Sequence, residues 1–97
     1  MSCDMDINER IKNAPEGAII ADVRTPDEYA LGHVPGSVNW PLERLPALDF
    51  FDCEGRPILT YCHSGSRSAR AALWLQQQGL EAENVGGILD WTGALEK

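Results

Sequence analysis

Apolar runs and segments with helical character alternate along this chain. Residues 18–23 and 57–61 form largely apolar runs, which are typical of strands buried on both faces of a parallel sheet. Residues 37–40 and 83–85 predict two shorter strands. Helices are predicted at residues 7–13, 26–31, 42–48, 68–78 and 88–95. Strands that alternate with helices in this way predict an α/β fold.

The helix at residues 26–31 has clear boundary signals. Thr25 is a candidate N-cap, Pro26 stands at the first helical position, and Glu28 follows Thr25 by three residues, which completes a capping box. Asp22 and Arg24 lie at the carboxyl end of the first strand, the edge where ligands bind in open α/β sheets. We expect these two side chains to hold loops together near a site, with Glu28 as a partner for Arg24.

Composition limits the classes of function. A chain of 97 residues with 43% hydrophobic composition predicts one domain, residues 1–97. Eight basic and fifteen acidic residues give a net charge of −7, which disfavours nucleic acid and membranes as partners. No segment has the length of a membrane span, and the N-terminus lacks the pattern of a signal peptide. We therefore expect a cytoplasmic protein.

The three cysteines indicate neither a disulfide framework nor a metal site. They stand at positions 3, 53 and 62, an odd number without a close pairing motif. For Cys3 and Cys53 we expect simple burial or surface exposure. Cys62 differs, because it ends an apolar strand and precedes a loop of glycine and serine that opens a helix.

The loop after Cys62 predicts a reactive thiolate. Gly65 can take positive φ and turn successive N–H groups inward, while the helix start adds partial positive charge, so the pKa of Cys62 is expected to fall. Arg67 adds a cation that fits an oxyanion. Such loops transfer either phosphoryl groups or sulfur. Only four residues separate Cys62 from Arg67, one fewer than in the phosphatase signature, and the smaller ring favours sulfur.

The segment 62–68, Cys-His-Ser-Gly-Ser-Arg-Ser, resembles the active-site loop of rhodanese domains, the thiosulfate sulfurtransferases. Residues 19–29, 32–39 and 85–91 resemble further family segments, and all four occur in the family order. The resemblance implies a rhodanese-like fold with a central, mostly parallel five-stranded sheet flanked by helices. It also implies a ping-pong sulfurtransferase that uses no metal or organic cofactor.

In the mechanism implied by the resemblance, the Cys62 thiolate takes sulfur from thiosulfate and passes it to cyanide or to a thiol such as glutathione, dihydrolipoate or thioredoxin. The implied substrate-binding residues are the rest of the loop, His63, Ser64, Gly65, Ser66, Arg67 and Ser68. Among these, we expect His63 to line the substrate at most and Ser68 to act mainly as a structural cap. Three alternatives remain: a sulfur-relay module loaded by a protein donor, a phosphatase or arsenate reductase, and a catalytically silent scaffold.

Overall fold

Helices and strands alternate from one end of the chain to the other. The computed structural model describes residues 6–50, 53 and 55–97, so Cys3 lies outside the described residues. The elements are α1 (Ile7–Lys12), β1 (Ile19–Asp22), α2 (Pro26–Leu31), β2 (Val38–Asn39), a 3₁₀ helix (Leu42–Ala47), β3 (Ile58–Cys62), α3 (Ser66–Gln77), β4 (Ala82–Gly87) and a 3₁₀ turn (Ile88–Asp90).

The strands form one parallel sheet in the order β2, β1, β3, β4. The predicted α/β fold is therefore confirmed, but the described residues contribute four strands to this sheet rather than five. A further extended pairing is limited to an antiparallel bridge between His33 and Glu96. Pro35, which has no N–H to donate, lies two residues after His33, and the bridge does not grow into a strand.

The predicted helix at residues 88–95 is wrong. Only Ile88–Asp90 is helical, as a single 3₁₀ turn. Beyond it, the indole Nε1 of Trp91 donates to the Ala94 carbonyl at 2.9 Å, and the backbone of Glu96 bonds to His33. The backbone of Trp91 is extended, with ψ of 126°, so the helical conformation ends at Asp90.

Helix α3 begins two residues earlier than predicted. Its N-cap is Gly65, in a left-handed conformation with φ of 106°. In α2, Thr25 and Glu28 form the predicted capping box. Among the helices that the structure describes, none is long and apolar enough to cross a membrane.

Strand β3 is buried along its whole length, and its side chains alternate between two cores. Ile58 and Cys62 belong to clusters that also contain residues of α3, such as Leu75 and Ala71. Leu59 and Tyr61 belong to the cluster that contains Ile7 of α1. Cys62 therefore leaves the sheet on the side that α3 covers. Cys53 is buried in the same core as Ile58, as we expected for a structural cysteine.

Candidate active site

Cys62 is the last residue of β3 and lies beneath the turn that leads into α3. Its Sγ accepts a hydrogen bond from the N–H of Gly65 at 3.0 Å, and the Ser68 hydroxyl lies 3.4 Å away. The residue has no exposed surface.

The surroundings of Cys62 lower its thiol pKa. Burial acts in the opposite direction and raises the pKa, because a desolvated thiolate is disfavoured. Hydrogen bonds from the Ser68 hydroxyl and from the N–H groups of Ser68, Gly65 and Arg67 favour the thiolate and outweigh burial. The loop amides thus converge on sulfur, which suits a nucleophilic thiolate.

The end of β4 presses against this loop. A Cβ at Gly87 would lie 2.3 Å from the His63 carbonyl oxygen, a distance that real Cβ atoms do not adopt. The N–H of Leu89 donates to the same oxygen at 3.2 Å. Gly87 therefore permits the close approach that holds the first residue of the loop in place.

Ser68 connects Cys62 to β4 through Asn84, a residue that the sequence analysis did not single out. The Ser68 hydroxyl lies 2.7 Å from Asn84 Oδ1, which also accepts from the N–H of Gly86 at 3.0 Å. Asn84 Nδ2 donates to the Gly65 carbonyl at 3.3 Å. Because a hydroxyl has one proton, Ser68 donates at any moment to only one of its acceptors, which are Asn84 Oδ1, Cys62 Sγ and the carbonyls of Gly65 and Gly86. No local motif marks Asn84, which lies sixteen positions from Ser68.

The remaining loop residues face outward. His63, Ser64 and Ser66 are exposed, and Gly65 is half-buried. Contact of these residues with a substrate stays a prediction.

Arg67 is held by Glu28. Its Nη1 and Nη2 donate to the two carboxylate oxygens of Glu28 at 2.7 and 3.0 Å. The Arg67 guanidinium, followed by the amide and hydroxyl of Thr25, lowers the pKa of Glu28 to about 2, although partial burial opposes the shift. About one third of each side chain of the pair is exposed.

The predicted pairing of Arg24 with Glu28 is therefore wrong. Arg24 is buried and donates instead to Asp22, with Nη2 2.6 Å from Oδ2 and Nε 2.9 Å from Oδ1. It also donates to the Gly32 carbonyl at 2.7 Å. Asp22 and Arg24 lie two residues apart on an extended segment and point to the same side, so their side chains meet. The expectation that they tie loops together is confirmed by the bond to Gly32.

His33 has a structural environment. Its ring stacks on Tyr29 with centroids 3.7 Å apart, and Nδ1 lies 3.0 Å from the Tyr29 carbonyl oxygen. In the part of the chain that the structure describes, no group of three His, Cys, Asp or Glu residues is arranged to hold a metal ion.

The known proteins that this chain resembles indicate one family. The model of the Rhodanese-like domain matches residues 6–94. The chain is 36% identical to a "Sulfurtransferase" of Allochromatium vinosum, covering 78% of this chain and 73% of that protein. It is 36% identical to the "Thiosulfate sulfurtransferase GlpE" of Pseudoalteromonas translucida, with coverages of 81% and 77%. It is 37% identical to the "Putative sulfur carrier protein YrkF" of Bacillus subtilis, covering 87% of this chain but only 46% of that protein.

Solved structures agree with this result. A crystal structure of a protein from Staphylococcus saprophyticus matches with a TM-score of 0.79 and 34% identity, covering 94% of this chain and 92% of that one. A rhodanese-like domain protein from Staphylococcus aureus matches with a TM-score of 0.79 and 27% identity, covering 95% and 94%.

Proposed function

This chain belongs to the rhodanese-like domain family, and we propose that it is a thiosulfate sulfurtransferase that carries sulfur on Cys62. The observation that carries the proposal is the set of hydrogen bonds to Sγ, which lower the thiol pKa although the residue is buried. A thiolate at neutral pH is the species that attacks sulfur. A reducing compartment such as the cytoplasm would keep that thiol available.

The reaction has two steps. The Cys62 thiolate attacks the outer sulfur of thiosulfate, a new S–S bond forms, and sulfite leaves with the electron pair of the broken S–S bond. The resulting persulfide anion is stabilised by the converging amides in the manner of an oxyanion hole. Cyanide or a thiolate then attacks the terminal sulfur and gives thiocyanate or a new persulfide, which restores the Cys62 thiolate. Neither step needs an oxidant.

A second candidate is a relay module that receives sulfur from a protein persulfide. The similarity to a protein named as a sulfur carrier favours it, and the same cysteine would serve. The two candidates differ in the donor. Turnover with free thiosulfate supports the enzyme, and turnover with a protein donor alone supports the relay module.

Phosphoryl transfer is the weaker alternative. The N–H of Gly65 donates to Sγ, and Arg67 binds the carboxylate of Glu28. These contacts suit one additional sulfur atom better than a tetrahedral phosphate. Hydrolysis of an aryl phosphate that requires Cys62 would reverse this preference.

The proposal is tested by intact-protein mass after thiosulfate treatment and desalting. We expect wild type to gain about one sulfur atom, Cys62→Ser to gain none, and cyanide to remove the sulfur as thiocyanate. Cys3→Ser, which removes a different thiol, is the control and should gain sulfur as wild type does. An unchanged wild-type mass would overturn the direct use of thiosulfate. Cyanide, glutathione, dihydrolipoate and thioredoxin are then compared as acceptors.

A further inference from the structure

The ion pair between Arg67 and Glu28 brings a fixed negative charge to the mouth of the Cys62 loop. We propose, on the basis of the function proposed above, that Glu28 determines which donors the site accepts by selecting against doubly charged ones. Thiosulfate remains a substrate, but Glu28 lowers its kcat/KM more than that of a sulfane-sulfur donor with a single negative charge. The inference rests on the geometry of Arg67, its carboxylate partner and the cavity beside them.

Arg67 remains able to contact a donor while it binds Glu28. A guanidinium has five N–H donors, and the two bonds to Glu28 leave three for another oxygen. Its positive charge, however, is largely offset by the carboxylate in contact with it. Arg67 therefore offers hydrogen bonds with little net attraction for a second anion.

Glu28 is fixed in this position by its own helix. Its Oε1 accepts from the N–H and from the hydroxyl of Thr25, both at 3.1 Å. With a pKa of about 2, the Glu28 carboxylate is ionised at neutral pH. The negative charge is thus a permanent feature of the site.

The other charged side chains near Arg67 also include both signs. A cavity of about 120 Å³ next to Arg67 is also lined by Arg44 and Glu43. The cavity lining thus contains two arginines and one glutamate, and Glu28, which binds Arg67, adds a second carboxylate next to it. A doubly charged donor therefore finds no excess of positive charge to offset the repulsion by the Cys62 thiolate.

Two donors that differ in charge but share a reaction provide the test. Thiosulfate is a dianion, and methanethiosulfonate is a monoanion whose outer sulfur is attacked in the same way. In the second case the new S–S bond forms on Cys62, the old S–S bond breaks, and methanesulfinate leaves with its electron pair. The rate of persulfide formation is measured for both donors by rapid quench and intact mass, and kcat/KM is obtained for each.

Removing the charge in Glu28→Gln should raise kcat/KM about threefold for methanethiosulfonate, as expected for one charge interaction at a partly exposed site. The effect on thiosulfate should be the square of that factor, about tenfold, because the donor has twice the charge. The kcat/KM for thiosulfate divided by that for methanethiosulfonate therefore rises about threefold, mainly through a lower KM for thiosulfate. Gln keeps the capping box, and α2 contributes no buried residue, so the variant should fold.

Asp27→Asn is the matched control. Asp27 is exposed on the same helix, and the substitution removes the same charge without touching the pair with Arg67. Asp27→Asn should leave the ratio of kcat/KM for the two donors unchanged. Two results for Glu28→Gln would overturn the inference: kcat/KM changes by the same factor for both donors, or kcat falls with both. Either result would show that Glu28 only positions Arg67. A wild type that forms no persulfide with either donor overturns the proposed function, and the inference with it.

Discussion

At the scale of single residues, the reactivity of Cys62 depends on the hydroxyl of Ser68. Ser68→Ala removes a donor that favours the thiolate, so the pKa of Cys62 should rise. The wild-type midpoint should lie below about 8.5, the value for a free cysteine, and the variant's midpoint should lie higher. At neutral pH the variant should therefore contain less thiolate and react about three to ten times more slowly. The measurement is the pH dependence of Cys62 alkylation, followed on its peptide by mass spectrometry.

Ser66→Ala is the control for Ser68. Ser66 is exposed in the same loop, and its hydroxyl makes no hydrogen bond to Sγ. Its pH profile should match that of wild type. A midpoint for Ser68→Ala that also matches wild type would contradict the role given to the hydroxyl and would leave the backbone amides as the cause of the low pKa.

Tyr61 stabilises the site from the opposite face of β3. Its hydroxyl accepts from the N–H of Val34 at 3.0 Å and lies 3.1 Å from the Ser37 hydroxyl. Burial raises the pKa of Tyr61 to about 12, so the group stays neutral. Tyr61→Phe leaves the buried N–H of Val34 without an acceptor, which should cost about 1 to 3 kcal/mol of unfolding free energy. Urea unfolding gives this value.

Tyr29→Phe is the matched comparison for Tyr61. The Tyr29 hydroxyl donates to the Ser37 carbonyl at 2.7 Å, but at a partly buried position where water can replace it. The loss of stability should be smaller than for Tyr61→Phe. Equal losses would indicate that the buried N–H of Val34 finds another acceptor.

At the scale of elements, the contact between β4 and the loop predicts a strong effect of Gly87→Ala. The new methyl group would collide with the His63 backbone, so either β4 or the loop must shift. Persulfide formation should then fall at least about tenfold, since misplacement by about 1 Å can cost a hundredfold in rate. The measurement is the rate of sulfur loading at a temperature where circular dichroism shows the variant folded.

Gly79→Ala separates this effect from a general loss of stability. Gly79 has φ of 87° at the end of α3 and open space around its Cβ position, so alanine strains the backbone without a collision. It should lower stability by about 1 kcal/mol and leave sulfur loading unchanged. If both variants lost activity equally, the contact with His63 would not be the reason.

Elements with local signals were predictable from the sequence, and long-range contacts were not. The capping box of α2 depends on Thr25 and Glu28, three residues apart, and it formed as predicted. The ion pair of Glu28 with Arg67 spans 39 positions and is created by the sheet, which brings α2 and α3 to one edge. Arg24, only four positions from Glu28, is therefore the partner that the sequence alone predicts. The predicted helix at 88–95 was wrong for a different reason, because the backbone of Trp91 is extended, with ψ of 126°, and ends the helical turn after Asp90.

At the scale of the whole molecule, α3 joins the stability of the core to the site. Its first turn carries Arg67 and Ser68, and Leu75 lies two turns later with no exposed surface. Leu75→Ala should lower the free energy of unfolding by about 2 to 5 kcal/mol, through lost burial and a cavity. For a domain of this size the midpoint of thermal unfolding should fall by about 10 °C or more.

Leu73→Ala is the natural control, because Leu73 belongs to the same helix but is 56% exposed. It should change stability by less than about 0.5 kcal/mol, as surface substitutions generally do. A small domain of this kind unfolds cooperatively, so in Leu75→Ala sulfur loading of Cys62 and the helical signal should be lost in one transition. If sulfur loading were lost well below the unfolding midpoint, the loop would lose its structure independently of the core. The stability of α3 would then not determine the activity of the site.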